Sequence, residues 1–384
     1  RFRKNCCLCI EILLISLQAN KISVMKTKLL LVVILISIFS LRGSAQDVHF
    51  TQYNECPILL NPANTGFFKG MYRFTGCFRN QWDYRFINNN SVAARNTGYT
   101  TFSGGFDMSF KGSKTSKDMV GVGLLFLNDR AGEVALSTTY GQLAVSYWKS
   151  ISNLKNRYVV GGFTMGFVQR RIDYTNLQLP DQYNPQDPFT PFSVVSAPVL
   201  NNYIYADFSL GVKYFCQINK RKFINYGIAV NHVNQPKNSF FFGLPSDQLY
   251  RKFTGHFGMK YPIGKKIDIL PSVMILAQGS WYEINEGAYV RFQLTEVKSK
   301  ELMAFNMGLW FRQANRTGGL LQDAINLSTK LEYNQYTLGI SYDLNVSKLT
   351  STTKLKGGVE LTLSYHGLMD ASLGNKRHPV CPVF

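Results

Sequence analysis

The chain has 384 residues, 14% of them aromatic and 17% charged, with a mean hydropathy of −0.08 and a formal net charge of +19. After the leader described next there is no run of roughly 18 apolar residues, which excludes a spanning helix and leaves a soluble exported protein or a β-barrel. The 28 Phe, 21 Tyr and 31 Gly favour the barrel, whose strands are half polar because one face meets a lumen.

In chain order, a conventional start sits at Met25, and residues 25–45 read as a secretory signal. Lys26 and Lys28 give the charged start, residues 29–41 the apolar stretch, and Gly43, Ser44 and Ala45 the small residues before a cut ahead of Gln46. Residues 1–24, with Cys6, Cys7 and Cys9, are expected to be an upstream extension foreign to the protein. Setting aside the seven leader cations and Glu11 leaves a charge of +13. A basic surface suits acidic lipid headgroups, an acidic cargo or nucleic acid, but export and the scattering of Lys and Arg argue against nucleic acid. The plainest reading is charged turns and rims.

Residues 46–70 are expected to form a periplasmic arm, followed at 71–366 by about fourteen antiparallel strands of an outer-membrane β-barrel. The segments are 71–82, 99–110, 120–127, 134–148, 157–171, 203–215, 223–232, 252–261, 266–278, 285–294, 302–311, 325–333, 335–344 and 355–366. In the thirteenth, Tyr336, Leu338, Ile340, Tyr342 and Leu344 alternate with Thr337, Gly339, Ser341 and Asp343. In the last, Val359, Leu361, Leu363 and Tyr365 alternate with Glu360, Thr362, Ser364 and His366. A period of two sorts these residues onto the two faces of a strand, which a helix cannot do.

Outer-membrane barrels have short turns at one end and long loops at the other. Here the connections at 83–98, 172–202, 233–251 and 312–324 are long, and those at 262–265 and Asn334 are tight. The longest holds Pro180, Pro185, Pro188, Pro191 and Pro198, which keep it out of any ladder and make it a plug, a lid, a docking surface or an inert loop. A tail at 367–384 returns to the periplasm. Hydrolytic, nucleotide and metal motifs are missing, and the five histidines are isolated in sequence, so neither an enzyme nor a cofactor is expected. Of Cys56, Cys77, Cys216 and Cys381, a Cys56–Cys381 bridge would tie the two ends together.

The interruptions of the alternation carry a resemblance. Gln46-Asp47-Val48-His49-Phe50-Thr51-Gln52-Tyr53 leads through Pro57-Ile58-Leu59-Leu60-Asn61-Pro62-Ala63-Asn64-Thr65-Gly66 to Arg79-Asn80-Gln81-Trp82. Asp129-Arg130-Ala131-Gly132, Asn231-His232-Val233-Asn234-Gln235-Pro236, Gly357-Gly358-Val359-Glu360-Leu361 and the terminal Cys381-Pro382-Val383-Phe384 follow in order. Together they resemble the PorP/SprF family of type IX secretion and gliding outer-membrane proteins. Val383 stands where members often carry a basic residue, which leaves the tail's role open.

The resemblance implies a non-catalytic barrel that helps export or anchor a large adhesin. Its expected partners are the adhesin's C-terminal domain, periplasmic or outer-membrane subunits of the secretion motor, and outer-membrane lipid. On this reading Asn61, Pro62 and Gly66 form the turn that ends the arm, with Pro62 blocking ladder bonds and Gly66 bending tightly. Arg79, Gln81 and Trp82 form either an interfacial anchor or a cargo-docking site at the outer end of the first strand. Asn231, His232, Gln235 and Pro236 shape a turn or contact a partner, and Phe384 either meets a partner or packs on the barrel mouth. The alternative function is a solute channel of the fatty-acid or nutrient type, drawn from a polar inner face such as Asp207, Ser209, Gly211 and Lys213.

Overall fold

The computed structural model describes residues 47–81, 98–111, 118–132, 135–151, 156–173, 200–219, 221–240, 248–295, 303–316, 319–347 and 356–367. The expected signal peptide with Ala45 and Gln46, the extension at 1–24, Trp82, the proline-rich loop and the tail with Cys381 and Phe384 lie outside these residues.

Fourteen antiparallel strands close into a barrel. They are β1 (Tyr72–Gln81), β2 (Tyr99–Lys111), β3 (Met119–Ala131), β4 (Leu136–Ser150), β5 (Arg157–Arg171), β6 (Asn202–Gln217) and β7 (Phe223–Asn231). β8 (Lys252–Pro262), β9 (Ile267–Gln278), β10 (Trp281–Gln293), β11 (Met303–Arg316), β12 (Gly319–Tyr333), β13 (Tyr336–Asn345) and β14 (Lys356–Gly367) complete it. Each strand pairs with its sequence neighbours, and β1 meets β14 from Tyr72↔Gly367 to Gln81↔Gly358, so no edge is left unpaired. We call the end where odd-numbered strands begin the entry rim, and the other the far rim.

The alternation sorts as its period dictates. On β13 Tyr336, Leu338 and Ile340 face outward at about half exposure, while Thr337, Ser341 and Asp343 are buried inside. On β14 Val359, Leu361 and Leu363 face outward and Glu360, Thr362 and Ser364 inward. The expected long connection at 312–324 is the main departure, since β11 runs on to Arg316 and β12 starts at Gly319. Polar residues such as Gln313, Asn315 and Gln322 break the alternation there, yet the ladder continues through a bulge between Arg312 and Gln313. The bulge leaves Asp323 out of register, and its carboxylate accepts from Arg312 Nε at 3.0 Å.

The expected periplasmic arm is inside the barrel. Residues 47–70 form short turns and one helical turn, α1 (Pro57–Leu60), that fill the lumen as a plug. The physical reason is apolar content. Phe50, Tyr53, Ile58, Leu60, Ala63, Phe67 and Phe68 are each under a tenth exposed, and burying a large apolar side chain contributes about 1.5–3 kcal/mol. Ala63 and Phe67 pack with Trp148, Tyr158 and Phe215, whereas Tyr53 and Leu60 pack with Met274, Tyr289 and Trp310. Phe50 and Cys56 join Leu127, Tyr140 and Val168. The barrel's hydrophobic core therefore forms between its plug and its wall.

Cys56 is bridged to Cys77 of β1, with Cα atoms 6.8 Å apart, and so is not available for the Cys56–Cys381 pairing that the sequence left open. The plug enters β1 directly, so two cysteines 21 residues apart meet across the plug–wall contact.

Candidate functional site

The turn at residues 61–66 is held at the entry-rim half of the lumen. Asn61 is fully buried and caps its own turn by accepting from Ala63 N at 2.8 Å. Its Nδ2 donates to the Val212 and Ile228 carbonyls at 3.3 and 3.2 Å and lies 3.1 Å from His256 Nε2. Pro62 follows as the first residue of the 3-10 turn, where its missing N–H costs nothing. Gly66 has φ +69° and donates to Asp107 Oδ2 at 2.7 Å. Asp107 also takes two bonds from Arg73, at 2.9 and 2.7 Å, so one buried carboxylate fixes both the turn and the start of β1.

The wall is thinned to admit this turn. A Cβ at Gly162 would stand 2.2 Å from Ala63 N, one at Gly211 2.0 Å from Asn61 Oδ1, and one at Gly121 2.3 Å from the Thr65 carbonyl oxygen. Glycine is required at these three lumen positions because plug atoms, backbone at Gly162 and Gly121 and the Asn61 side chain at Gly211, occupy the space a side chain would take.

Toward the far rim a buried charge network grips residues 49–55. Glu360 accepts the Thr51 and Gln52 amides at 2.8 and 3.0 Å and Arg79 Nη1 at 2.9 Å. Asp343 accepts from Arg79 Nη2 at 3.0 Å, Arg312 Nη1 at 2.9 Å and Thr51 Oγ1 at 3.0 Å. Nearer the entry rim, Lys330 pairs with Glu55, and Tyr53 Oη shares a 2.8 Å hydrogen bond with Ser272. Such charges are tolerable away from water only when paired and hydrogen-bonded, so the network specifies one seating of the plug. His49 lies 3.3 Å from Glu283, and burial together with Arg79 and Arg312 pushes its imidazole well below its ordinary pKa, leaving it neutral.

The plug's first described residue is clasped separately. His232, at φ +56°, directs Nδ1 to Asp207 at 2.8 Å and Nε2 to Asp47 at 2.5 Å, and Lys252 lies 3.2 Å from Asp47. Burial lowers the imidazole, but Asp47 and Asp207 outweigh it and raise His232 to about 9. Burial likewise opposes ionisation of Asp47, yet His232 and Lys252 hold its carboxyl well below the usual range.

Above the plug at the far rim lies a cavity of about 570 Å³. Its lining includes Asp47, His49, Gln81, Tyr99, Asp129, Arg170 and Trp281. The mixture of paired ions with aromatic rings suits polar segments of a polypeptide or another hydrated ligand. Among the described residues there is no cluster of potential ligands for a metal ion.

The sequence-derived site residues divide accordingly. Asn61, Pro62 and Gly66 come together as the plug turn, inside the lumen and not on a periplasmic arm. Arg79 is buried in the charge network and Gln81 accepts from its Nη2 at 3.1 Å, so this arginine is neither an interfacial anchor nor an exposed docking group. Asn231 ends β7 and donates to Ser209 at 3.1 Å, Gln235 has φ +44° and bonds the His232 carbonyl, and Pro236 accepts from Leu249. Sequence reasoning missed Asp107, Asp343 and Glu360 as plug anchors. Their signal was an acid on the lumen face of an apolar strand, which must find a partner.

The barrel resembles several solved structures. The Ralstonia pickettii toluene transporter TbuX matches at TM-score 0.48 and 8% identity, covering 86% of this chain and 96% of that one. The TodX monoaromatic hydrocarbon channel deltaS2 mutant matches at 0.46 and 8%, covering 82% and 94%. A Pseudomonas aeruginosa FadL homologue matches at 0.41 and 10%, covering 79% and 92%. Comparison with curated protein sequences returned no match. The family profile for the type IX secretion system membrane protein PorP/SprF matches residues 42–365, and this chain belongs to that family.

Proposed function

We propose that this barrel serves type IX secretion as a non-catalytic docking and anchoring component for a large adhesin-like cargo, and not as a conduit for solutes. The observation that carries the reading is the plug. Residues 47–68 occupy the lumen through a buried apolar core, a disulfide, hydrogen bonds to Glu360 and Asp343, and ion pairs to Lys252 of β8 and Lys330 of β12. A pore whose blocking segment is bonded to its own wall is built as a rigid platform.

The C-terminal domain of the cargo docks at the far-rim cavity, where Tyr99, Asp129 and Arg170 offer aromatic and ionic contacts, and subunits of the secretion motor meet the entry rim. The chain reaches the outer membrane by means of its signal peptide, and the work it supports includes gliding. Deleting the gene should leave the adhesin absent from the cell surface while its synthesis continues. Unchanged surface labelling of the adhesin would refute the proposal. A solute channel draws on the same cavity, but requires the plug to leave.

A further inference from the structure

We propose that one arc of the entry rim is a binding site for anionic phospholipid headgroups. The arc spans three consecutive turns, β4–β5, β6–β7 and β8–β9. Register places Ser150 beside Tyr158, Gln217 beside Phe223 and Pro262 beside Asp268, so all three turns lie on one rim.

The orientation of the cations is the first argument. Lys149 continues the outward row that holds Val145 and Tyr147, and Arg157 begins the outward row of Val159 and Phe163, both exposed on the lipid side. Lys265 and Lys266 are exposed at the β8–β9 turn, and Lys222 Nζ sits 4.5 Å above the ring of the outward Tyr261. A cation on the lumen row would meet water and plug, whereas one that follows a lipid-facing apolar row meets the phosphate layer.

The second argument is the tyrosine collar beneath them. Tyr147, Tyr226 and Tyr261 are outward and 40–50% exposed, and Tyr214 packs 5.2 Å from Tyr226. Amphipathic rings at a strand end mark headgroup depth, which sets the level at which the neighbouring cations act.

The third is that the arc is held in shape and left uncompensated. Arg221 donates to the carbonyls of Gly264 and Lys265 at 2.9 and 2.7 Å and to Asp268 at 2.6 Å, tying the β6–β7 turn to the β8–β9 turn. Asp118 is taken up by Lys149, Tyr147 and the Ser150 amide. Arg157, Lys222, Lys265 and Lys266 pair with no carboxylate among the described residues. A phosphodiester supplies the missing charge, and its acyl chains lie along the apolar wall between the tyrosines.

The test is native mass spectrometry of the full chain released from bilayers of equal phosphatidylglycerol and phosphatidylcholine, at low and high salt. Wild type should retain phosphatidylglycerol preferentially. The triple variant Arg157→Gln, Lys222→Gln, Lys265→Gln should lose that preference, at about fivefold in affinity per cation near the surface. Lys237→Gln, at the far rim, should keep it, and resistance to SDS confirms that each variant is folded. Equal retention of both lipids by wild type, or undiminished preference in the triple variant, overturns the site. Displacement of the lipid by soluble glycerol phosphate reassigns the arc to free phosphate esters and overturns the lipid assignment. Displacement by an acidic peptide but not by salt reassigns it to a protein partner, with the same consequence.

Discussion

Gly211 leaves empty the space that Asn61 fills: a Cβ on the glycine would lie 2.0 Å from the asparagine Oδ1. The same relation holds between Gly162 and the backbone of Ala63, so the seating of the plug depends on what the wall omits. Gly162→Val or Gly211→Val should unseat the turn at residues 61–66 and destabilise the barrel by about 1–3 kcal/mol or more, since Gly162 faces plug backbone that cannot move aside and Gly211 faces an Asn61 amide already held by its own hydrogen bonds. Gly141→Ala, which faces outward with nothing within 4 Å, should be neutral to within roughly 0.5 kcal/mol. Thermal unfolding in detergent compares the three; equal effects would refute the close-approach argument.

Glu360 receives two plug amides and an arginine on one carboxylate. Glu360→Ala leaves Arg79 and the Thr51 and Gln52 amides short of partners, and removing one member of a buried ion pair costs about 3–5 kcal/mol. Hydrogen exchange at Thr51 and Gln52 should accelerate by orders of magnitude while β13 and β12 stay protected. Exchange unchanged at both amides would show that the plug is held without this network.

The Cys56–Cys77 bridge closes a short loop between plug and wall. Its loss in Cys56→Ser, Cys77→Ser should lower stability by about 3 kcal/mol, the scale for loops of this length. Alkylation after denaturation, with and without reductant, checks the connectivity directly; labelling of Cys56 in the unreduced protein would contradict it.

The clasp of Asp47 by His232 depends on pH in a definite sense. His232 is raised from 6.5 to about 9, so its contribution is complete below about 6.5 and is lost as pH rises through about 9. Asp47 is shifted the opposite way, so its contribution is complete well above the ordinary carboxylate value of 3.8 and is lost progressively as pH falls below it. Asp207 lies 2.8 Å from the other ring nitrogen, and Lys252 pairs with Asp47 at 3.2 Å. Raising pH from 7 to 10 should therefore lower the thermal unfolding temperature more in wild type than in His232→Asn; parallel curves would contradict the assignment.

The fold was legible where two solvents act on alternate residues. Rows such as Leu338, Ile340 and Tyr342 could face only lipid, so strand number and order followed from the sequence. The ladder beyond Phe311 was not, because past the apolar band both faces of β11 meet polar surroundings and the period loses its cause. The plug was misplaced for a related reason. Phe50, Tyr53, Leu60 and Phe67 show no fixed period, and only the barrel's interior says where such residues can be buried. Asn61, Gly66 and His232 stood out as residues, but their partners Gly211, Asp107 and Asp47 lie on other elements, and only the closed sheet brings them together.

The barrel is closed by its own residues 47–68. Single-channel recording of the purified full chain in planar bilayers tests this closure most directly. The plug described here predicts a silent membrane under modest voltage, with conductance steps appearing in the Glu360→Ala and Gly162→Val variants. Steady open conductance from the wild-type protein, equal to that of the variants, would contradict it.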